Sequence, residues 1–170
     1  KTAFRQAFIW IKTGTGVKSR SRLCFRTDCF IMTHKVYLSL GANIGDRRAG
    51  IAAALELLGE TVGRVVRRSS IIETEPWGFE SENKFLNMCV ALETNLSPHQ
   101  LLVATQDIER RLGRKAKSAG GVYADRLIDI DILLYDDISV STPELTVPHP
   151  HMRERDFVMR PLMEIMDGNR

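Results

Sequence analysis

From Lys35 onward the hydrophobic and polar positions fall into alternating and helical periods that lay out the chain's elements in order. VYLSL (Val36–Leu40) reads as a β-strand running into the Gly-rich turn GANIGD, and Asp46 can cap a helix whose stripe is Ile51, Leu55 and Leu58. Gly59 and Gly63 punctuate the end of that helix. Arg64–Glu75 (RVVRRSSIIETE) reads as one strand entering the turn Pro76-Trp77-Gly78, and a polar loop follows to Lys84. Phe85–Glu93 alternates, with Leu86, Met88, Val90 and Leu92 on one side and Asn87 on the other. Ser97 and Pro98 open a second helix as N-cap and first helical residue; Leu101, Thr105, Ile108 and Leu112 are its buried stripe, and Gly113 stops it. After the stretch RKAKSAGG comes the strongest β segment, Leu127–Tyr135 (LIDIDILLY), then a Pro-rich run ending in VPHPHMRERDF. The order β-α-β-β-α-β predicts an α+β, ferredoxin-like sandwich: an antiparallel sheet with two main helices on one face.

Residues 1–31 break this order. They are rich in Arg, Lys, Ser and Thr and show no sustained period, so they read as an N-terminal extension, disordered or non-native to the folded body; a targeting segment is the alternative. The body is then 32–170, a length that suits one domain with a real core. The net charge of +3 changes meaning once divided this way. Residues 1–35 hold eight of the 24 basic residues and one of the 21 acids, leaving 16 against 20, a net of −4, for the rest. The body therefore offers no basic case for nucleic-acid binding. No apolar run approaches the roughly 20 residues of a membrane-spanning helix, so a soluble protein is expected. Cys24, Cys29 and Cys89 make an odd set with no paired CxxC, which argues for a reducing, cytoplasmic setting rather than zinc or disulfides.

The informative chemistry is Asp129-Ile130-Asp131. On a strand, residues i and i+2 share a face, so both carboxylates project together while Ile128, Ile130 and Ile132 pack inward. Two like charges this close repel unless a cation joins them, and hard oxygen ligands suit magnesium. An exposed, solvated strand face would give the same two letters. Arg126, three residues earlier, and the loop bearing Arg114, Lys115 and Lys117 tilt the reading toward phosphate chemistry. Gln106 and Glu109 lie three apart on the second helix, facing away from Leu101 and Leu112 as surface residues do. His149 is held between the prolines of VPHP. There is no GxxxxGK[ST] loop and no GxGxxG after a strand, so neither a P-loop nor a Rossmann site is expected.

Taken in order, LSLGANIGD, ETEPWG, FLNMCVALET, the Gln106–Glu109 helix, RLIDIDILLY and LTVPHPHMRERDFV resemble the 6-hydroxymethyl-7,8-dihydropterin pyrophosphokinases of folate biosynthesis, from Lys35 to about Ile165. The resemblance implies transfer of the pyrophosphoryl group of ATP to the pterin hydroxymethyl oxygen, releasing AMP. It implies that Asp129 and Asp131 bind two magnesium ions, that Arg114 and Arg126 contact the phosphates with Lys115 or Lys117 assisting, and that Gln106, Glu109, His149 and Arg155 belong to the nucleotide side. The pterin would stack between Phe85 and Phe157, with Asn87 hydrogen-bonding its amide edge and Thr74 offering backbone contacts. Flat heterocycles suit an aromatic sandwich, and an amide matches donor and acceptor together. The implied partners are these small molecules, with a monomer or weak homodimer as the assembly. No side chain stands out as a general base beyond the aspartates.

Some features depart from the family pattern. The loop from Gly113 to Arg126 is slightly longer than in well-known members, which leaves Lys115, Lys117 and Tyr123 without fixed roles. Asp125 stands where a proline is common before the arginine, Pro150 follows His149 where some members have an aromatic residue, and the C-terminal segment after Ile165 is short. Two rival readings share single motifs: a metal-dependent DxD glycosyltransferase, which needs a larger nucleotide-binding domain, and a non-catalytic ferredoxin-like module. Neither accounts for the whole ordered set.

Overall fold

A computed structural model describes residues 33–114 and 124–166. Its strands are β1 (His34–Ala42), β2 (Arg64–Arg68), β3 (Ile72–Thr74), β4 (Phe85–Thr94) and β5 (Asp129–Tyr135), with a small hairpin of β6 (Val140–Ser141) and β7 (Thr146–Val147). The helices are α1 (Arg47–Thr61), α2 (Pro98–Arg111) and α3 (Asp156–Ile165). The main sheet is antiparallel in the order β2-β4-β1-β5, and β3 also pairs with β4. The fold is α+β.

Capping chemistry sets the first two helices. The Asp46 carboxylate accepts from the backbone N–H of Ala49 at 3.0 Å. Ser97 and Gln100 form a reciprocal capping box, with Pro98 where a missing N–H costs nothing. Gly59, expected to mark the end of α1, lies inside it, and the helix runs on to Thr61. The segment Arg64–Glu75 is two strands rather than one. At the break the Ser69 N–H donates to the Cys89 carbonyl, and the Cys89 N–H donates to the Ser69 hydroxyl, both at 2.9 Å. A side chain thus takes a place in the ladder, and β3 resumes pairing with the same partner strand.

The two faces of the sheet are covered differently. Val36, Leu38 and Leu40 of β1, Leu86, Met88, Val90 and Leu92 of β4, and Ile130 and Ile132 of β5 pack with Ile51, Ala54 and Leu58 of α1 and Leu101 and Ile108 of α2. The opposite face carries Tyr37, Cys89, Ala91 and Leu133, which pack with Val158, Leu162 and Ile165 of α3. This third helix is not legible in the Pro-rich run that precedes it. Its spacing of Val158, Leu162 and Ile165 is helical, and Pro161 sits within it. Glu164 fastens it to the strand break, accepting from the Ser70 N–H at 2.8 Å and the Ser70 hydroxyl at 2.6 Å. Cys89 is fully buried beneath α3, and burial pushes its thiol up to about 12. Cys24 and Cys29 lie outside the described residues. No helix among the described residues is long and apolar enough to cross a membrane.

Where α3 does not cover this face, Ser39, Gly41, Asn87, Asp129 and Asp131 form the floor of a cleft. If α3 is part of the core, Leu162→Ala should destabilise the protein by about 2–5 kcal/mol, the usual cost of emptying a fully buried leucine site. Urea denaturation followed by circular dichroism checks this; a loss below about 1 kcal/mol would show the helix to be loosely attached.

Candidate active site

Strand register builds the floor. Gly41 lies opposite Asn87 on β4 and opposite Asp129 on β5, while Ser39 lies opposite Cys89 and Asp131. Asp129, Gly41 and Asn87 therefore form a row across three strands, with Asp131 and Ser39 in the next row. The glycine matters here: a Cβ at position 41 would stand 2.9 Å from the Asn87 Oδ1 and 3.7 Å from a Phe85 ring carbon. The amide and the ring come this close because nothing projects between them and the acidic pair. The Asn87 Nδ2 donates to the Thr74 hydroxyl at 2.8 Å, which fixes the amide from the far side.

The acidic end of the cleft is an ion network. Arg114 donates through one nitrogen to both Glu109 and Asp129, and Arg126 reaches the second Asp129 oxygen at 2.6 Å. Glu109 also accepts from the Ile130 backbone N–H at 2.8 Å. Against the surface position read from the helix pattern, Glu109 is only 3% exposed. It joins α2 to β5 and holds Arg114, so its neighbours explain its burial. Burial alone would weaken the Arg114 cation, but the carboxylates of Asp129 and Glu109 outweigh it and raise its hold on the proton.

Asp131 is different. Its nearest cation among the described residues, Arg155, stands 4.0 Å from it. Loss of water at the floor, and then the charge of Asp129, push its carboxyl up to about 7. Arg155 is buried and lies over the Trp77 ring at 4.6 Å and the Phe157 ring at 5.9 Å, while Arg126 lies over the Phe85 ring at 5.6 Å. Phe79 meets Phe85 edge-on at 6.1 Å between centroids. On the opposite wall the His151 N–H donates to the His149 Nδ1 at 3.3 Å, leaving the Nε2 side of that ring as donor. Burial, followed by the charge of Arg155, lowers His149 to about 4, so the ring is neutral at pH 7.

The cleft lining brings together Thr74, Phe85, Asn87, Glu109, Arg114, Arg126, Asp129, Asp131, His149, Arg155 and Phe157 from β3, β4, α2, β5 and the C-terminal region, around a volume of about 290 Å³. Of the expected residues, Gln106 is not among those lining it; it is half-buried on α2. Lys115, Lys117 and Tyr123 lie outside the described residues. Sequence reasoning missed Ser39, Gly41, Trp77, Phe79 and His151 as lining residues. Ser39 and Gly41 could have been found by parity, since they alternate with Val36, Leu38 and Leu40 and so share a face with Asn87.

Among the described residues no group of three or more His, Cys, Asp or Glu side chains could hold a metal by itself. Two neighbouring carboxylates at the floor, one of them pushed toward its protonated form by loss of water and then by the charge of the other, are a donor set that suits magnesium. That ion takes one or two carboxylates and fills its shell with water and substrate phosphates.

An acidic pair ringed by arginines in a cleft that also carries aromatic rings is the kind of site that enzymes moving phosphoryl groups onto flat organic acceptors use. Residues 37–167 match the model of the 7,8-dihydro-6-hydroxymethylpterin-pyrophosphokinase (HPPK) family. The 2-amino-4-hydroxy-6-hydroxymethyldihydropteridine pyrophosphokinase of Porphyromonas gingivalis is 56% identical over 131 residues, 76% of this chain and 89% of the relative. The enzyme of the same name from Bacillus subtilis is 44% identical over 135 residues, 79% of each chain. Two solved structures, an HPPK-DHPS in complex with substrates and the wild-type HPPK-DHPS of Plasmodium falciparum, share the fold. Their TM-scores are 0.62 and 0.61 at 14% and 15% identity, and they cover 78% and 75% of this chain. This chain spans only about two fifths of each, 40% in both cases. The chain belongs to the HPPK family. It is a pyrophosphokinase of hydroxymethyldihydropterin, acting in folate biosynthesis.

The raised Asp131 carboxyl gives a pH signature in the absence of divalent cations. Between pH 4 and 7 the folded chain keeps a proton on Asp131 that the unfolded chain, titrating near 3.8, has lost; native stability therefore falls as the pH rises through this window and levels off above about 7. Asp131→Asn removes this penalty. Its stability advantage in EDTA should grow from pH 4 to pH 7 and then stay constant, as read from urea midpoints. An advantage independent of pH would place Asp131 in a water-like environment.

Proposed function

We propose that the cleft binds Mg-ATP at its acidic end and the pterin at its aromatic end, and that the observation carrying this division is the row Asp129–Gly41–Asn87. In this reading Asp129 and Asp131 hold two magnesium ions. When bound, the ions supply charge neutralisation of the phosphates and a lower pKa for the attacking hydroxyl. Arg114 and Arg126 exchange their contacts with Asp129 for contacts with phosphate oxygens, with Lys115 or Lys117 assisting. Gln106, Glu109, His149 and Arg155 serve the nucleotide side; Glu109 does so by holding Arg114, and neutral His149 through its Nε2–H.

The pterin stacks between Phe85 and Phe157. Asn87, oriented by the Thr74 hydroxyl, reads its amide edge, and the Thr74 backbone offers further contacts. The hydroxymethyl oxygen attacks the β-phosphorus of ATP, the bond from that phosphorus to the α–β bridging oxygen breaks, AMP leaves, and the hydroxyl proton is lost to solvent. This chain's residues position the groups in line and hold positive charge where negative charge moves. No dedicated base is required in this reading.

With β2 and β3 counted as one interrupted strand, the order β5-β1-β4-β2 supports the ferredoxin-like βαββαβ arrangement, to which α3 is added on the second face. The same proposal treats 1–31 as an extension and 32–170 as the pyrophosphokinase domain, acting in the cytoplasm as a monomer or weak homodimer.

Nucleotide chromatography tests the reaction. Protein, Mg-ATP and 6-hydroxymethyl-7,8-dihydropterin should yield AMP only when the pterin is present, and EDTA should stop it. Asp129→Ala and Asp131→Ala should each abolish turnover with an unchanged circular dichroism spectrum. Arg126→Ala should lower kcat by about 10²–10³, as loss of a donor to developing phosphate charge does. ADP as product, or full activity in either aspartate variant, would overturn the assignment.

A further inference from the structure

Arg126 is gripped from both sides by groups that have no place in the reaction scheme above. The Asn43 Oδ1 accepts from its backbone N–H at 2.7 Å, and the Asn43 N–H donates to its carbonyl at 3.1 Å. Asn43 is 3% exposed and sits just after the end of β1, so this grip is anchored in the sheet. The next residue, Leu127, lies against Gly45 and Gly113, where added Cβ atoms would stand 3.1 and 2.9 Å from its methyl carbons.

The residue on the other side, Asp125, gathers three donors. The Asn43 Nδ2 reaches its Oδ1 at 2.6 Å, the Ser81 hydroxyl reaches the same oxygen at 2.7 Å, and the Asn83 Nδ2 reaches Oδ2 at 2.8 Å. Ser81 and Asn83 belong to the loop between β3 and β4, and the Asn83 N–H donates to the Ser81 hydroxyl at 3.1 Å, so the two donors form one turn. That loop carries Trp77 and Phe79 on the aromatic side of the cleft. The hydrogen bonds from Ser81 and Asn83 hold the Asp125 carboxyl below its usual range, so at neutral pH it is an ionised acceptor. A carboxylate with three donors from two separate segments is a strut between them.

We propose that Asp125 is a positioning residue for the pyrophosphoryl transfer: it ties the Ser81–Asn83 turn to Asn43 and so fixes the backbone from which Arg126 reaches the phosphates. The proposal rests on the reading of Arg126 as a phosphate contact. An acid next to a phosphate-binding arginine would otherwise repel the ligand. Here its charge is spent on three donors, while the Arg126 guanidinium points to Asp129.

Steady-state AMP formation in single and double variants tests this. Asp125→Ala should lower kcat by about tenfold to a hundredfold, in line with hydrogen bonds to a charged acceptor. Asp125→Asn keeps an acceptor for Asn43 and Ser81 and should recover most of that loss. In an Arg126→Ala background, Asp125→Ala should change kcat by less than about twofold, because the strut works through Arg126. A merely structural role would give losses that multiply, and that result overturns the proposal. Full activity in Asp125→Ala alongside an impaired Arg126→Ala would overturn the strut and leave the phosphate reading standing. An unimpaired Arg126→Ala would remove both. Thermal melting reports folding, and if Asp125→Ala does not fold, the Ser81→Ala/Asn83→Ala variant, which removes two of the three donors, takes its place in the same comparison.

Discussion

Two arginines converge on Asp129, one on each carboxylate oxygen, and Glu109 binds one of them from behind while accepting a backbone N–H of the strand that carries the aspartate. This closed set of charges is what the rest of the site depends on. It brings α2, β5 and the segment ending at Arg126 to one point, and it keeps two guanidinium groups at the floor of the cleft without a ligand. Buried ion pairs add little net stability, because desolvating the charges costs about as much as their attraction returns; losing one partner is what is expensive. Their value here is in placement. Positive charge is held beside the acidic pair.

The sheet explains how two unlike ends share one floor. Antiparallel register sets Asp129, Gly41 and Asn87 side by side, so the acidic chemistry and the amide that would read a heterocycle are separated by a single glycine. α3 covers the neighbouring part of the face with Val158, Leu162 and Ile165, and closes it to water. The cleft is the part of the sheet left uncovered. Its aromatic rings are engaged by arginines, Phe85 by Arg126 and Phe157 with Trp77 by Arg155, so the charged and aromatic parts of the cleft are in contact.

Much of this was legible in the sequence, and the reason differs from residue to residue. Period-two alternation placed Leu86, Met88 and Val90 on one face and Asn87 on the other, and the same rule put Asp129 and Asp131 together. Local capping chemistry marked the starts of α1 and α2 at Asp46 and Ser97. Glu109 was misread because helical spacing reports which side of a helix is apolar and says nothing of a carboxylate buried against an arginine and a backbone N–H from elsewhere in the chain. Helix α3 was missed because prolines precede it and another lies inside it, and its partners, Cys89, Ala91 and Leu133, are distant in sequence. Asp125 reads as a departure from the family pattern; its three partners come from residues 43, 81 and 83, which no local rule joins.

In the proposed reading, the charges around Asp129 are held ready and change partners when Mg-ATP arrives. A crystal structure of the protein with magnesium and a non-hydrolysable ATP analogue measures this directly. Arg114 and Arg126 should have left Asp129 for phosphate oxygens, with magnesium coordinated by Asp129 and Asp131, and Glu109 should still hold Arg114. Arginines that remain on Asp129, with no cation at the acidic pair and the nucleotide bound elsewhere, would contradict it.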